Sequence, residues 1–287
     1  MGSIKASIVI CCLFLGAAAG VDGSAADFDV QGHRGCRGLA PENTMAAFGK
    51  AIELGVTTLE LDVVMTRDGV FAVYHDLRLN PKLCARLDGE PVRRRPLAEL
   101  DFRDISELDC GSRRPGKFPE QSLSPGARIP RLEEVLDLAT EAPYPVRLSI
   151  EIKDSTAKMP KPVEAVVAQL VDLLQKRGLV NRTIVQSKWG EILVEVRNQE
   201  PALGRALVVE GASAKRWVED GTATVVSRKH VYLDRSEVER LQQKGILVIP
   251  WTVNKPQAIQ KMMDWGVDGI ITDYPDRALA LLNDQEP

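Results

Sequence analysis

The sequence has no marked excess of charge of either sign. Its 287 residues carry 37 Lys and Arg against 40 Asp and Glu, a formal net charge of -3. Nucleic-acid binding usually requires a concentrated basic surface, so we expect no nucleic-acid partner. Hydrophobic residues make up 44% of the chain, which is enough for one sizeable core in a globular protein of ordinary composition.

Long apolar runs are absent beyond the amino terminus. Residues 1–5 carry one positive charge, residues 8–19 are apolar, and small residues follow. This is the layout of a secretory signal peptide, and the run is short for a membrane span. We predict a signal peptide over residues 1–25 and a mature domain over 26–287 that is exported to the periplasm or secreted. An uncleaved membrane anchor is the alternative; after cleavage no stable membrane insertion is expected.

Cysteine is scarce, and its use fits export. Of five cysteines, Cys11 and Cys12 belong to the predicted signal peptide, which leaves Cys36, Cys84 and Cys110. An exported protein can keep a disulfide, and a pair formed by Cys84 and Cys110 would close a long loop, although sequence alone does not establish their approach. We interpret Cys36 as a small buried residue and not as a nucleophile.

Histidine is scarcer still, and two of the three histidines fall within residues 31–76. Between His33 and His75 lie two acids, Glu60 and Asp62, in an otherwise apolar run. Alternation along a strand places both acids on one face and apolar residues on the other. Two neighbouring carboxylates resist burial unless a cation lies between them. The pattern therefore predicts a metal site.

A turn after the acids is expected to bring a histidine to them. Asp68-Gly69 is a strong hairpin signal, so residues 71–75 are predicted to return antiparallel to residues 60–65. Counted from the turn centre, His75 then lies opposite Glu60, about 5 Å away. A histidine beside a metal site is suited to general acid/base catalysis. The alternative is a surface hairpin with scattered acids.

Strand-like and helix-like segments alternate along the rest of the chain, which predicts parallel strands joined by right-handed crossovers. Eight strands and the mature length fit a (β/α)8 TIM barrel, which typically takes about 250 residues. A doubly wound open sheet is the alternative, but it would more naturally carry a Gly-rich phosphate loop, and none is evident. The predicted strands are 27–32, 57–65, 146–153, 183–186, 206–209, 223–226, 246–253 and 269–272; the predicted helices are 43–54, 131–140, 162–177, 189–198, 236–244 and 256–265.

One segment interrupts this alternation. Residues 77–128 are rich in Arg, Pro, Gly and Asp and show no clear period apart from a short helix expected over 97–104. So long an irregular connection is uncommon and is often functional. We interpret it as an insertion after the hairpin arm that caps the mouth of the barrel, with a flexible surface insertion as the alternative.

In such barrels the chemistry collects at the carboxyl ends of the strands. Arg34 follows the first strand, and Glu151 and Lys153 end the third. Glu151 then provides a third carboxylate, and an all-oxygen ligand set favours Ca²⁺ or Mg²⁺ over Zn²⁺. Arg34 and Lys153 are suited to binding an anion such as phosphate. With a histidine on each side of that phosphate, His33 and His75, the arrangement indicates cleavage of a phosphate ester.

A series of short motifs in this order resembles the glycerophosphodiester phosphodiesterase family. The resemblance spans essentially the whole mature chain. The motifs are H-R-G at 33–35, P-E-N-T at 41–44, E-L-D-V at 60–63, T-R-D-G at 66–69, H-D at 75–76, I-P-R-L at 129–132, E-I-K at 151–153, W-T-V-N at 251–254 and I-T-D-Y-P at 271–275.

The resemblance implies a barrel of the phospholipase C-like phosphodiesterase type that hydrolyses glycerophosphodiesters to sn-glycerol 3-phosphate and an alcohol. It implies one divalent cation, Ca²⁺ or Mg²⁺, as cofactor and a small-molecule substrate. The residues that match the family's functional positions are Glu60, Asp62 and Glu151 as metal ligands, His33 and His75 as the acid/base pair, and Arg34 and Lys153 as phosphate contacts.

Several roles stay open at this point. His33 is assigned as base and His75 as acid, and either an internal glycerol hydroxyl or water can be the first nucleophile. Trp251 is interpreted as a substrate contact or, equally, as a core aromatic residue. Glu42 and Asn43 are expected to cap the first helix and to position the H-R-G loop, with a substrate contact as the less favoured alternative. The functional alternatives are a phospholipase C- or D-like lipid phosphodiesterase and an exported binding or adhesion protein on the same barrel.

Overall fold

The computed structural model describes residues 28–154, 158–210 and 214–284, so the predicted signal peptide lies outside the described residues. The strands are β1 (Asp29–Gly32), β2 (Thr58–Met65), β3 (Phe71–Val73), β4 (Arg147–Ile152), β5 (Thr183–Ser187), β6 (Gly204–Val209), β7 (Val225–Arg228), β8 (Leu247–Val248) and β9 (Gly269–Thr272). The helices are α1 (Met45–Leu54), α2 (Leu132–Glu141), α3 (Val163–Gln175), α4 (Gly190–Gln199), α5 (Lys215–Glu219), α6 (Arg235–Gln242), α7 (Pro256–Asp264) and α8 (Pro275–Asn283).

Within these described ranges, eight of the nine strands form a parallel sheet in the order β8-β7-β6-β5-β4-β2-β1-β9. Backbone hydrogen bonds join its two ends, from Ile271 N to Pro250 O (2.9 Å) and from Val253 N to Ile271 O (2.9 Å). The sheet therefore curls into a nearly closed barrel with the helices outside it. The predicted (β/α)8 barrel is confirmed.

Alternation along β2 divides its side chains between the helices and the barrel interior. Leu59, Leu61 and Val63 are buried in the main apolar cluster, together with residues of α1, α2 and α3. Because successive side chains of a strand point to opposite faces, Glu60 and Asp62 face inward. β4 pairs with β2 in parallel and repeats the pattern, which places its own polar residues beside these acids.

The start of α1 differs from the sequence-based expectation. Thr44, and not Glu42 or Asn43, is the N-cap, and its hydroxyl accepts a hydrogen bond from Ala47 N at 3.3 Å. Asn43 has a left-handed backbone with φ of 55°, and its side chain turns toward the barrel interior. The helix ends as predicted at Gly55, whose φ of 87° suits a residue without a Cβ.

β3 pairs antiparallel with β2, in a register one residue different from the expected one. The pairs are Val63–Val73, Val64–Ala72 and Met65–Phe71, and this register continues to place His75 opposite Leu61, not opposite Glu60. The predicted register was wrong because the turn contains three residues and not two. Thr66 N donates to Val70 O at 2.9 Å, which leaves residues 67–69 as the loop.

Residues 77–128 have little regular structure but are packed. Two short 3₁₀ helices, Leu97–Glu99 and Phe102–Asp104, replace the single helix expected over 97–104. Apolar side chains of the insertion form a separate buried cluster with Val64 and Ala72, which pair with each other in the β2–β3 hairpin. The insertion is thus attached to the barrel through the hairpin.

A disulfide joins Cys84 to Cys110 within this insertion, as the sequence allowed, and Cys36 is free and buried. Gln121 of the same segment donates hydrogen bonds to the carbonyls of Arg37 (2.7 Å) and Ala40 (3.1 Å), so the insertion also contacts the loop that follows β1.

Some elements were not predicted. α5 is short and α8 follows the last strand directly, and neither stood out in the hydrophobic pattern. β8 spans two residues where eight were expected, because Pro250 lacks the N–H that a ladder requires. In the part of the chain that the structure describes, none of the helices has the length and apolar character to cross a bilayer.

Candidate active site

Three carboxylates meet at the carboxyl ends of β2 and β4. The register pairs Asp62 with Glu151 and Glu60 with Ser149, so adjacent strands deliver the acids to the same level. One oxygen from each of Glu60, Asp62 and Glu151 lies within 4.8 Å of the others, and all three residues are buried. This cluster was predicted from strand alternation.

The charges around these acids are unequal. Burial, followed by repulsion from Asp62 and Glu151, raises the pKa of Glu60 well above its usual range. Burial alone would also raise the pKa of Asp62, but the positive charges of Lys153 and Arg34 outweigh it and leave that pKa lowered. Arg34 and Lys153 thus provide two positive charges for three carboxylates.

These observations test whether a metal fits. Lys153 Nζ contacts Glu151 at 2.9 Å and Asp62 at 3.4 Å, whereas Glu60 has no Lys or Arg side chain within ion-pair distance among the described residues. A hard divalent cation prefers carboxylate oxygens, and its charge would relieve the repulsion centred on Glu60. The donor set fits such an ion.

The loop after β1 holds Arg34 over the acids. The backbone N–H of Arg34 donates to Glu60 Oε2 at 2.8 Å. The guanidinium of Arg34 contacts Glu42 at 2.7 Å and Asp62 at 3.1 Å. A left-handed backbone at Arg34, with φ of 51°, directs both groups to the cluster. Burial alone would lower the pKa of Arg34, but Glu42 and Asp62 outweigh it and raise the pKa, so this side chain stays positive.

His33 is held by an acid from the far end of the chain. Its Nδ1 lies 2.6 Å from Asp273 Oδ1, just beyond β9. Burial tends to raise the pKa of Asp273, but His33 and Arg37 outweigh it and keep it ionised. An ionised carboxylate only accepts hydrogen bonds, so Nδ1 carries the proton and Nε2 keeps its lone pair. Burial, then the charge of Arg37, lowers the pKa of His33 to about 3.

His75 has a similar arrangement on a more exposed loop. Its Nδ1 lies 2.7 Å from Asp76 Oδ1, and Asn80 Nδ2 donates to the other oxygen of Asp76 at 2.9 Å. The hydrogen bond with His75 lowers the pKa of Asp76, which again leaves Nε2 of the histidine available. The imidazole is 32% exposed, in contrast to the buried His33.

A cavity at the mouth of the barrel connects these groups. Asp62 lies beneath the cavity, in contact with Arg34 and Lys153. No described residue of the 77–128 insertion lines the cavity, but the ring of Phe118 of the insertion lies 5.2 Å from the guanidinium of Arg37, which does line it. That the insertion caps the mouth stays a prediction. The sequence-predicted residues that line the cavity are His33, Arg34, Glu60, His75, Glu151, Lys153 and Trp251.

Several residues of the site were not assigned from the sequence. Asn43 donates to Asp62 Oδ2 at 2.9 Å and fixes that carboxylate. Asp273 lies within the I-T-D-Y-P motif, but its partner His33 is 240 residues away, and no local pattern links them. Gln186 reaches Glu60 at 3.5 Å, and Lys188 lies at the rim.

Comparison with known proteins agrees with this geometry. The sequence model of the glycerophosphoryl diester phosphodiesterase family matches residues 33–277. The chain is 31% identical to a glycerophosphodiester phosphodiesterase of Caldanaerobacter subterraneus subsp. tengcongensis, over 87% of this chain and 96% of the relative. It is also 31% identical to a glycerophosphodiester phosphodiesterase of Bacillus subtilis (strain 168), over 85% of this chain and 83% of the relative.

Solved structures have the same fold. A Silicibacter pomeroyi DSS-3 protein assigned as a glycerophosphoryl diester phosphodiesterase superposes with a TM-score of 0.84 at 32% identity, over 91% of this chain and 95% of the other. An Oleispira antarctica phosphodiesterase, solved in complex with its product sn-glycerol-3-phosphate, gives a TM-score of 0.74 at 22% identity, over 89% and 96% of the two chains. At that identity the second likeness establishes the fold alone.

Proposed function

The chain belongs to the glycerophosphoryl diester phosphodiesterase family, and we propose on that premise that it hydrolyses glycerophosphodiesters to sn-glycerol 3-phosphate and an alcohol. One observation carries the proposal: two carboxylate-oriented histidines, three clustered carboxylates and two cationic side chains converge on a single cavity. A binding or adhesion protein on the same barrel would not need these groups, whereas the three acids and two histidines are all present at one site.

We propose that Glu60, Asp62 and Glu151 hold one divalent cation, Ca²⁺ or Mg²⁺. The proposal is supported by the all-oxygen donor set and by the raised pKa of Glu60, which burial and its acidic neighbours produce. Bound there, the cation would neutralise charge that develops on the phosphoryl oxygens.

The proposed chemistry of the protein's own residues is general acid/base catalysis around a bound phosphate. Arg34 and Lys153 bind the phosphoryl oxygens, since both are charged and adjacent to the carboxylates, Arg34 buried and Lys153 partly buried. His33, whose Nε2 carries no proton, takes the proton of the attacking hydroxyl or water at that nitrogen. His75, once protonated at Nε2, gives a proton to the leaving alcohol.

Export is also proposed, from residues 1–25 and the disulfide between Cys84 and Cys110. Mass spectrometry of the protein isolated from its native source tests this, because cleavage near residue 25 removes a defined mass, and an intact amino terminus would contradict it.

The central experiment measures sn-glycerol 3-phosphate released from glycerophosphoglycerol and from glycerophosphocholine by the mature chain. We expect release with Ca²⁺ or Mg²⁺ and a loss of at least about 100-fold after chelation, which added metal restores. Glu60→Gln removes one proposed ligand with little change of shape and is expected to be inactive with either ion. Undiminished release after chelation contradicts metal dependence, and no release under any condition contradicts the function.

A further inference from the structure

Part of the cavity has no role in the chemistry proposed above. The catalytic groups come from the ends of β1, β2 and β4 and from the loop after β3. The opposite wall is formed by residues that follow or belong to β5, β6, β7 and β8: Gln186, Lys188, Val208, Ser227, Trp251 and Thr252. Among these there is no carboxylate, and Lys188 is the one charged residue.

Lys188 lies over the ring of Trp251, and both residues line the cavity. Its Nζ is 5.9 Å from the centroid of the Trp251 ring, and it forms no ion pair with any described residue. The Trp251 ring is held in place by a hydrogen bond that its Nε1 donates to Ser227 O at 2.9 Å. The face of a tryptophan is the surface that binds quaternary ammonium groups best, and here an ammonium of the protein already occupies that side.

Ser227 offers an unused polar group to the same wall. The residue is 1% exposed and lies on β7, and its hydroxyl has no hydrogen-bond partner among the residues that the structure describes. A buried hydroxyl without a partner costs free energy that a ligand hydroxyl can recover. Lys188, Ser227 and Trp251 together therefore form a wall with one positive charge, one free hydroxyl and one aromatic ring, which we name the Lys188 subsite.

We propose that the Lys188 subsite binds the alcohol half of the diester and selects a polyol, neutral or anionic, over a quaternary ammonium alcohol. This rests on the proposed function. The glycerol half and the phosphate are common to all such substrates, so this wall can discriminate between substrates only through the alcohol half. Lys188 makes no ion pair with a described acid, although Lys229 and Lys188 lie near enough to Glu210 to lower its pKa. Hydroxyls of a polyol can pair with Ser227 and Lys188, whereas esterified choline brings a like charge and no free hydroxyl.

The test compares kcat/KM for glycerophosphoglycerol, glycerophosphoinositol and glycerophosphocholine under identical metal conditions. We expect both polyol substrates to exceed glycerophosphocholine by about tenfold or more, since one unfavourable charge contact and one lost hydrogen bond are each worth up to about tenfold. Equal values, or a preference for glycerophosphocholine, overturn the proposal. Hydrolysis of none of the three overturns the proposed function and the subsite together.

Variants separate the subsite from general electrostatics. We divide kcat/KM for glycerophosphocholine by kcat/KM for glycerophosphoglycerol and call the result the choline-to-glycerol ratio. Lys188→Glu is expected to raise this ratio by about tenfold or more. The matched charge reversal Lys176→Glu, on the outer surface beyond α3 where Lys176 pairs with Asp172, is expected to leave that ratio unchanged. A ratio that responds equally to both variants overturns a local role for Lys188.

Ser227→Ala removes only the hydroxyl and keeps the strand buried. We expect kcat/KM for both polyol substrates to fall up to about tenfold, with glycerophosphocholine nearly unaffected. If Lys188→Glu and Ser227→Ala instead change all three substrates by one common factor, the wall binds the shared glycerol half and the proposal is wrong. Active variants with an unchanged choline-to-glycerol ratio overturn the subsite while leaving the proposed function intact.

Discussion

At the scale of single residues, the site depends on which nitrogen of each histidine carries a proton. Asp273 and Asp76 are ionised acceptors, so both imidazoles are protonated at Nδ1 and free at Nε2. The sequence predicted that His33 and His75 lie near three clustered acids, because alternation along a strand and a hairpin turn are local patterns. It did not predict the contact between Asp273 and His33, which barrel closure alone creates.

Asp273→Asn is expected to reduce kcat by about 100-fold or more with little change in KM, because an amide can donate to Nδ1 and reverse the tautomer of His33. Steady-state kinetics and a pH–rate profile measure the effect. Far-UV circular dichroism controls for folding, since Asp273 also binds Arg37 and Asn254. A change confined to KM would show that Asp273 does not position the base.

Glu60→Gln is expected to affect stability in opposite directions with and without metal. In chelator the variant should unfold at the same temperature as the wild type or higher, because it loses a buried carboxylate repelled by Asp62 and Glu151. With saturating Ca²⁺ or Mg²⁺ only the wild type should gain stability, by about 2.7 kcal/mol at a hundred times Kd. Differential scanning calorimetry measures both, and an equal metal-induced gain in the two proteins would exclude Glu60 as a ligand.

Asp154, which has no role in the proposed reaction, is expected to make the free energy of unfolding depend on pH. Burial raises its pKa to about 6, although it accepts a hydrogen bond from Met65 N at 3.2 Å. The folded state therefore binds more protons than the unfolded state between about pH 4 and 6, so this residue's contribution to stability falls as pH rises through that window. Asp154→Asn should unfold with a free energy higher than the wild type by up to about 3 kcal/mol at pH 7, and by much less at pH 4.

Urea unfolding of the wild type and Asp154→Asn at the two pH values measures this difference. Comparing the two proteins at each pH cancels the titration of the other acids. A gap that is the same at pH 4 and pH 7 would mean that Asp154 titrates normally.

At the scale of elements, the hydrophobic period predicted most strands and helices but not their register or ends. The β2–β3 register differed by one residue because Thr66 pairs with Val70, a detail of turn hydrogen bonding. β8 was overestimated because Pro250 interrupts a run that otherwise reads as continuous strand. The insertion over 77–128 was visible as a break in period, but its packing on the hairpin arises from contacts distant in sequence.

The disulfide in this insertion is expected to stabilise the fold without contributing to the reaction. Cys84 and Cys110 are 26 positions apart, and closing such a loop is worth about 3–4 kcal/mol. The double variant Cys84→Ser, Cys110→Ser should lower Tm by several degrees while kcat/KM at 20 °C, roughly room temperature, stays within about twofold. Calorimetry and kinetics on the same preparations measure both quantities. A selective loss of kcat/KM in folded protein would show that the insertion shapes the cavity.

At the scale of the whole molecule, the strand count and chain length were enough to predict the barrel. The parallel order follows from alternation, since each helix must return the chain to the same edge of the sheet. Which strands end the sheet, and how β8 and β9 close it, depends on backbone hydrogen bonds made around Pro250 and Ile271. These have no signature in composition or period.

Closure has a consequence for when the protein becomes active. The proposed base comes from the first strand and the carboxylate that orients it follows the last. Until Asp273 has been synthesised and has left the ribosome, a growing chain can contain both histidines and all three clustered acids and yet have no oriented base. Hydrolysis would thus begin only after β9 has joined the barrel, which makes catalytic turnover a direct reporter of barrel closure.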